Sequence, residues 1–281
     1  MKWFAIRFIA IVGIFVFIGN GHGALVGNDD FNDNSMDSSK WAADITISGG
    51  ILAETNTRLE FTSSGSGLQE SRRPWILEAP PATSDWAVQM DVAINSALAA
   101  ADQYTSFGID VSKAVDPNAF AYVELYNSTL GGGPQSRGFY TELCNNSITM
   151  GSNDSLDLGT TFGAVRFSFD SSTGILRSYY DANGSAGGYS WTELASFGIS
   201  ASGGGTTANA NWAMSADDNF LISVYGYSED FAVTSGHVFG DNFSAVPEPS
   251  SVGTLTALLL VAVGCMRAAR KRRGTGSCMS Q

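Results

Sequence analysis

Hydrolysis of a glycosidic bond needs two carboxylates facing each other across it, about 5–5.5 Å apart in the retaining case. No such pair stands out along this chain. Glu70 and Glu78 are separated by Arg72, Arg73 and Pro74, and Glu124 has Tyr122 and Tyr126 at its alternate positions in place of a second acid. A Ser-His-Asp arrangement would have to use His237, since His22 lies near the N-terminus, and no Gly-x-Ser-x-Gly turn accompanies it. Of three cysteines, Cys144 alone lies in the central stretch, so no disulfide forms within it, and it reads as a strand residue rather than a nucleophile. Histidine-based zinc sites lack ligands. The run Gly131 to Pro134 is not followed by the Lys-Ser/Thr of a phosphate-cradling loop.

Two chemistries remain open. Hard cations take oxygen ligands, and Asp29, Asp30, Asn32, Asp33, Asn34 and Asp37 form a cluster that Asp241 and Asn242 would join if the ends of the domain pair. Its spacing opens like a calcium-binding EF-hand loop from Asp30, but the sixth position is Ser35 and the twelfth Trp41, so that motif fails. A structural calcium held by Asp29, Asp30, Asn32, Asp33 and Asp241 stands against a solvated acidic turn. Sugars need aromatic rings beside polar groups, and Tyr140, Tyr189, Trp191 and Trp212 lie in or beside glycine-rich, loop-like sequence. The alternative for each ring is a place in the core.

The elements that must position these residues are strands. Apolar and polar residues alternate at period two over residues 86–94, 119–126, 164–169 and 220–227. Residues 167–180 read as a hairpin turning through Asp170, Ser171, Ser172 and Gly174, with a further turn at residues 181–184. Only residues 95–102, rich in alanine, suggest a short helix or a loop excursion. Glycine-rich residues 131–133 and 203–205 read as loops. Short strands without helices to cover a parallel sheet predict an all-β fold, an antiparallel β-sandwich.

The ends of this domain echo each other: Asp29-Asp30-Phe31-Asn32-Asp33 opens it and Phe239-Gly240-Asp241-Asn242-Phe243 closes it. With Trp41, the Gly49-Gly50 turn, residues 58–61 and Tyr179-Tyr180-Asp181, the pattern resembles the concanavalin A-like lectin and glucanase superfamily, laminin-G-like domains included. The resemblance implies a jelly roll with first and last strands in one sheet, and carbohydrate binding. It does not imply catalysis, because the Glu-x-Asp-x-x-Glu strand of the glucanase branch is absent.

Charge excludes nucleic acid. Seven of the 15 basic residues lie in the end segments, leaving eight against 26 acidic residues between them, a field of the wrong sign for phosphate backbones. Lys2 and Arg7, an apolar run over residues 8–18 and small residues at 21–24 read as an export signal peptide, residues 1–24. The run is shorter than the roughly 20 residues needed to span a bilayer. The central domain is residues 25–245, large enough to fold without staples.

After it, Val246-Pro247-Glu248-Pro249-Ser250 leads into an apolar segment, residues 252–266, and a basic cluster at 267–273 comprising Arg267, Arg270, Lys271, Arg272 and Arg273. A helix over 252–266 enters a membrane with the cluster on its cytoplasmic side. This order resembles the PEP-CTERM sorting signal of Gram-negative bacteria, with Pro247, Glu248 and Pro249 at its named positions. The resemblance covers residues 246–273 and implies an exosortase as processing partner. It further implies transient anchoring in the inner membrane and delivery to the envelope or to the matrix of a biofilm. The tail at 274–281 is longer than such signals usually carry. The sequence thus predicts an exported, non-enzymatic β-sandwich that binds or organises exopolysaccharide, with a secreted polysaccharide-active enzyme as the alternative.

Overall fold

The computed structural model describes residues 27–77, 79–155 and 158–247. The signal peptide, Glu248, Pro249, the apolar segment 252–266 and the basic cluster lie outside the described residues. No α-helix occurs among the described residues, and none there is long and apolar enough to cross a membrane. Residues 95–102, where a short helix was one expectation, pass as a loop into a strand.

Sixteen strands build the fold among the described residues. They begin with β1 (Gly27–Asp29), β2 (Ile45–Ile47), β3 (Ile51–Thr55), β4 (Arg58–Thr62), β5 (Leu68–Pro74), β6 (Trp86–Ile94), β7 (Tyr104–Lys113) and β8 (Asp116–Ser128). They continue with β9 (Ser136–Asn145), β10 (Ile148–Asp154), β11 (Phe162–Asp170), β12 (Ile175–Asp181), β13 (Thr192–Gly198), β14 (Ala208–Asn209), β15 (Phe220–Glu229) and β16 (Val238–Pro247). Nine form one sheet in the order β14-β13-β12-β11-β6-β16-β4-β3, with β1 also pairing β16. Seven form the other, in the order β10-β9-β8-β7-β15-β5-β2. All pairings are antiparallel except that of β13 with β14. The fold is an all-β sandwich, and its first and last strands meet as the Asp-Phe echo predicts, Asp29 opposite Phe243.

The period-two alternation decides what lies between the sheets. Trp86, Val88, Met90, Val92 and Ile94 of β6 face Phe107, Ile109 and Val111 of β7, Val123 and Leu125 of β8, and Phe220, Ile222 and Val224 of β15 in one buried cluster. Trp41, Trp75, Phe31 and Phe243 close its end, Trp41 meeting Trp75 edge to face at 4.9 Å. Fully burying such a ring contributes roughly 1.5–3 kcal/mol. Close approach is written into Gly226, where a Cβ would stand 2.3 Å from the Phe61 ring. A second cluster, separate from this core, consists of Tyr104, Phe120, Tyr122, Tyr126, Cys144, Tyr225 and Tyr227. It lies on the opposite face of the seven-stranded sheet, so β7 is buried at every residue where half-burial is the usual antiparallel pattern.

Candidate functional site

The far face of the seven-stranded sheet is a grid of tyrosines and carboxylates fixed by strand register. One row across the sheet reads Asp154, Tyr140, Glu124, Gly108, Tyr225, Arg72. The next reads Ser152, Glu142, Tyr122, Asp110, Ser223. On the other side lies Tyr126, Ser106, Tyr227, Glu70. Two strands carry the same local pattern, Tyr122-x-Glu124-Leu125 and Tyr140-x-Glu142-Leu143. Their antiparallel pairing sets each tyrosine opposite the other strand's glutamate.

Every tyrosine of this face donates its hydroxyl to a carboxylate. Glu124, fully buried, accepts from Tyr104 at 2.5 Å and from Tyr225. Tyr225 reaches it across Gly108, where a Cβ would meet the Val123 carbonyl oxygen at 2.1 Å and no side chain fits. Glu142 accepts from Tyr140 (2.7 Å), Tyr122 (3.1 Å), Thr149 (2.8 Å) and the Cys144 thiol (3.1 Å). Tyr126 donates to Asp154 at 3.0 Å and Tyr227 to Glu229 at 3.2 Å. These charge-assisted bonds lock ring orientations that burial alone would leave loose. Burial, then the nearby Glu142 charge, pushes the Tyr140 hydroxyl above its ordinary range, so it stays a donor.

One cation stands among these acids on the described strands of this face. Arg72 bonds Glu70, lies 3.0 Å from Asp110, and reaches over the Phe120 and Tyr225 rings at about 6 Å. The two carboxylates hold it fully charged against its burial. Asp110 goes the other way: burial outweighs Arg72, and with Glu70 nearby its pKa rises to about 6. Between Tyr126 and Tyr227, Ser106 is fully buried on the same face, and its Oγ has no hydrogen-bond partner. Exposure grows toward the β10 edge, where Tyr140 is half-buried and Ser152 and Asp154 are exposed.

The four rings singled out in the sequence lie in three places. Tyr140 is on this face. Tyr189 and Trp191 stack on each other at 4.9 Å on the nine-stranded sheet, with Arg166 over the Trp191 ring at 5.6 Å. Trp212 fills the core, 3% exposed, because its indole N–H finds the Cys144 carbonyl at 3.1 Å. Its glycine-rich surroundings do not make it a presented ring.

The acidic cluster is similarly dispersed. Asp29 accepts from the Trp41 indole (2.9 Å) and the Phe31 amide (3.1 Å), with Lys40 at 3.6 Å. Asp33 and Asp37 cap their own turns through Ser35 and Ser39. Asp30 and Asn32 are exposed, and Asn32 holds the Asp30 carboxyl below its ordinary range. Asp241 is half-buried, its pKa raised by burial and by Asp91 and Asp30. Among the described residues no three Asp, Glu, His or Cys side chains are gathered as a metal ion requires. Pro247 pairs with Trp86 as the last residue of β16.

No protein-family model matches the sequence, and no curated protein matches it. Among solved structures, the potassium-bound carbohydrate recognition domain of Emp46p is 7% identical, covering 80% of this chain and 97% of that one at a TM-score of 0.47. The exoplasmic/lumenal domain of VIP36, in a Ca2+/Man2-bound form, is 9% identical, covering 79% and 87% at 0.45. Lectin II from Ulex europaeus is 10% identical, covering 74% and 95% at 0.44.

Sequence reasoning missed Glu142, Asp110, Tyr104, Tyr225 and Tyr227. The repeated Tyr-x-Glu-Leu pattern was the available signal, since two copies on neighbouring antiparallel strands must share a face.

Proposed function

We propose that this protein is an exported, non-catalytic polysaccharide-binding β-sandwich that holds its saccharide on the tyrosine- and carboxylate-bearing face of the seven-stranded sheet. The observation that carries this reading is that six of the nine tyrosines lie on that one face, each with its hydroxyl on a carboxylate. Sugars offer C–H faces to rings and hydroxyls to carboxylates, and rings locked in advance lose little entropy on binding. Tyr140, Ser152 and Asp154 are the first groups a saccharide meets. The PEP-CTERM-like segment supports delivery to a Gram-negative envelope or matrix after processing by an exosortase. Substituting Pro247, Glu248 and Pro249 should then leave the C-terminal segment uncleaved, read by the mass of the mature chain.

The test is retention of the purified full-length protein on exopolysaccharide from its host, with and without calcium. Tyr140→Ala should weaken retention about tenfold, as loss of an aromatic contact does. Trp191→Ala should leave it unchanged. Retention lost with Trp191 and kept without Tyr140 would move the site to the nine-stranded sheet, and no retention at all would leave a structural role.

One observation favours a second reading, a polysaccharide-active enzyme. Glu124 and Glu142 are diagonal neighbours on β8 and β9, which places their carboxyl groups roughly within the 5–9 Å range of glycosidase pairs. Against it, hydroxyl and thiol donors already occupy both carboxylates. Release of reducing ends that Glu124→Gln abolishes would establish the enzyme.

A further inference from the structure

We infer that Asn183 is a self-modifying site: its side chain deamidates through the backbone nitrogen of Gly184, and the product releases residues 182–191 from the nine-stranded sheet. The inference does not rest on the saccharide-holding face. Among the described residues, Asn183 is the one asparagine followed by glycine. It lies in the turn after β12, where Gly184 has a φ of 58°, a left-handed conformation that favours glycine. The Asn183 side chain is exposed, and the residue is held by its backbone N–H, which donates to Asp181 Oδ1 at 2.8 Å. The Gly184 N–H, whose nitrogen must attack, reaches the Asp181 carbonyl only at 3.4 Å, long for such a bond. Glycine also has no Cβ to shield that nitrogen. Residues 185–188 are all exposed and Gly187 and Gly188 take φ of 85° and 89°, so the segment has the sparse packing that permits local opening.

The Gly184 nitrogen gives its proton to hydroxide and attacks the side-chain carbonyl carbon of Asn183. A C–N bond forms, the side-chain nitrogen leaves as ammonia, and a succinimide ring results. Water adds to either ring carbonyl and opens the ring to aspartate, or to isoaspartate with the chain running through the side-chain carbon. The surrounding acids give this product a structural consequence. Asp91 holds the segment through Ser185 N at 3.0 Å and Ser185 Oγ at 2.5 Å, and Asp181 holds it through the amides of Asn183 and Ser190. Asp91 already stands opposite Asp241 across the pairing of β6 with β16. A further carboxylate at residue 183 repels these acids, and the longer backbone of isoaspartate shifts Ser185 away from Asp91.

The experiment holds the folded full-length protein in mildly alkaline buffer and follows peptide masses against time. The mass gain of an amide-to-acid exchange should appear at Asn183 severalfold sooner than at Asn146, which is also exposed in a turn but precedes Ser147. Residues 182–191 should exchange amide hydrogen faster in the deamidated fraction. Asn183→Ser, which has no ammonia to lose, should keep the slow exchange through the same incubation. Gain at Asn146 first, or gain at Asn183 in denatured protein only, would overturn the site. Gain at Asn183 with hydrogen exchange unchanged would overturn the release while leaving the modification standing.

Discussion

The two outward faces of the sandwich both set tyrosines beside carboxylates, yet they use them differently. On the nine-stranded sheet the carboxylates hold the chain's own loop. Asp91 accepts from Ser185 N (3.0 Å), Ser185 Oγ (2.5 Å) and Asn242 Nδ2 (2.9 Å), and Asp181 accepts from the amides of Asn183 and Ser190. That ties residues 182–191 down over the sheet, and the stacked Tyr189 and Trp191 finish the latch. On the seven-stranded sheet Glu124 and Glu142 accept from tyrosine, threonine and cysteine side chains of the sheet itself. Carboxylates that satisfy backbone amides answer a folding requirement. Tyrosine hydroxyls set on carboxylates instead fix the orientation of rings and acids on the sheet itself.

The sharpest way to break this contrast is to remove one carboxylate from each face. Glu124→Ala leaves two tyrosine hydroxyls without their acceptor in a buried setting, and should cost about 3–5 kcal/mol of stability. It should also reduce saccharide affinity to the detection limit. Asp91→Ala should cost less, about 2 kcal/mol, and should loosen residues 182–191 in hydrogen exchange with affinity unchanged. Denaturant titration and binding on both variants decide it. A loss of affinity in Asp91→Ala would show that the nine-stranded face takes part in binding.

This contrast was only half legible in the sequence. Alternation exposed β6, β8, β11 and β15, and the terminal Asp-Phe echo revealed the pairing of β1 with β16, because strand periodicity and composition are local properties. The acid and tyrosine grid was not local. Glu124 read alone has tyrosines, and no second acid, at its alternate positions 122 and 126. Glu142 joins it only because the connection from Ser128 to Ser136 sets a register in which Tyr122 faces Glu142. Asp110 joins through a second hairpin in the same way. Trp212 misled for a complementary reason: glycine-rich flanks describe the loop and say nothing of where one large ring inside it finds an apolar wall. Asp29 and Asp33 looked like cation ligands because aspartates that cap turns and aspartates that bind calcium share a composition.

A smaller effect is expected from pH. Asp110 has its pKa raised to about 6 in the folded protein, against about 3.9 in an unfolded chain. The folded state therefore holds this proton more tightly, so its contribution is fully present below about pH 4 and is lost as pH rises through about 6. Denaturation midpoints between pH 4 and 7 should fall over that window, and Asp110→Asn should flatten the fall. On the nine-stranded face Asp241 shifts in the same direction from burial and from Asp91 and Asp30, so Asp241→Asn should flatten a further part of the profile. An Asp110→Asn profile superimposable on the unsubstituted protein would show that Arg72 neutralises Asp110 fully, and the proton would have to be sought elsewhere on the face.

The smallest effect tests the two faces through single oxygen atoms. Tyr225→Phe removes a donor to Glu124, and Tyr189→Phe removes a phenol whose pKa burial and the Asp91 charge push upward. Each substitution preserves the ring and should cost about 1 kcal/mol of stability, the ordinary net worth of one hydrogen bond. In stability the pair is expected to be indistinguishable. Affinity should separate them, because Tyr225 lies on the face proposed to hold the saccharide, whereas Tyr189 stacks on Trp191 on the other sheet. Calorimetric titration of both variants with the host exopolysaccharide should therefore show a loss of about threefold to tenfold for Tyr225→Phe and none for Tyr189→Phe. An equal loss in both would mean that the two faces communicate through the core and that the division of labour between them is wrong.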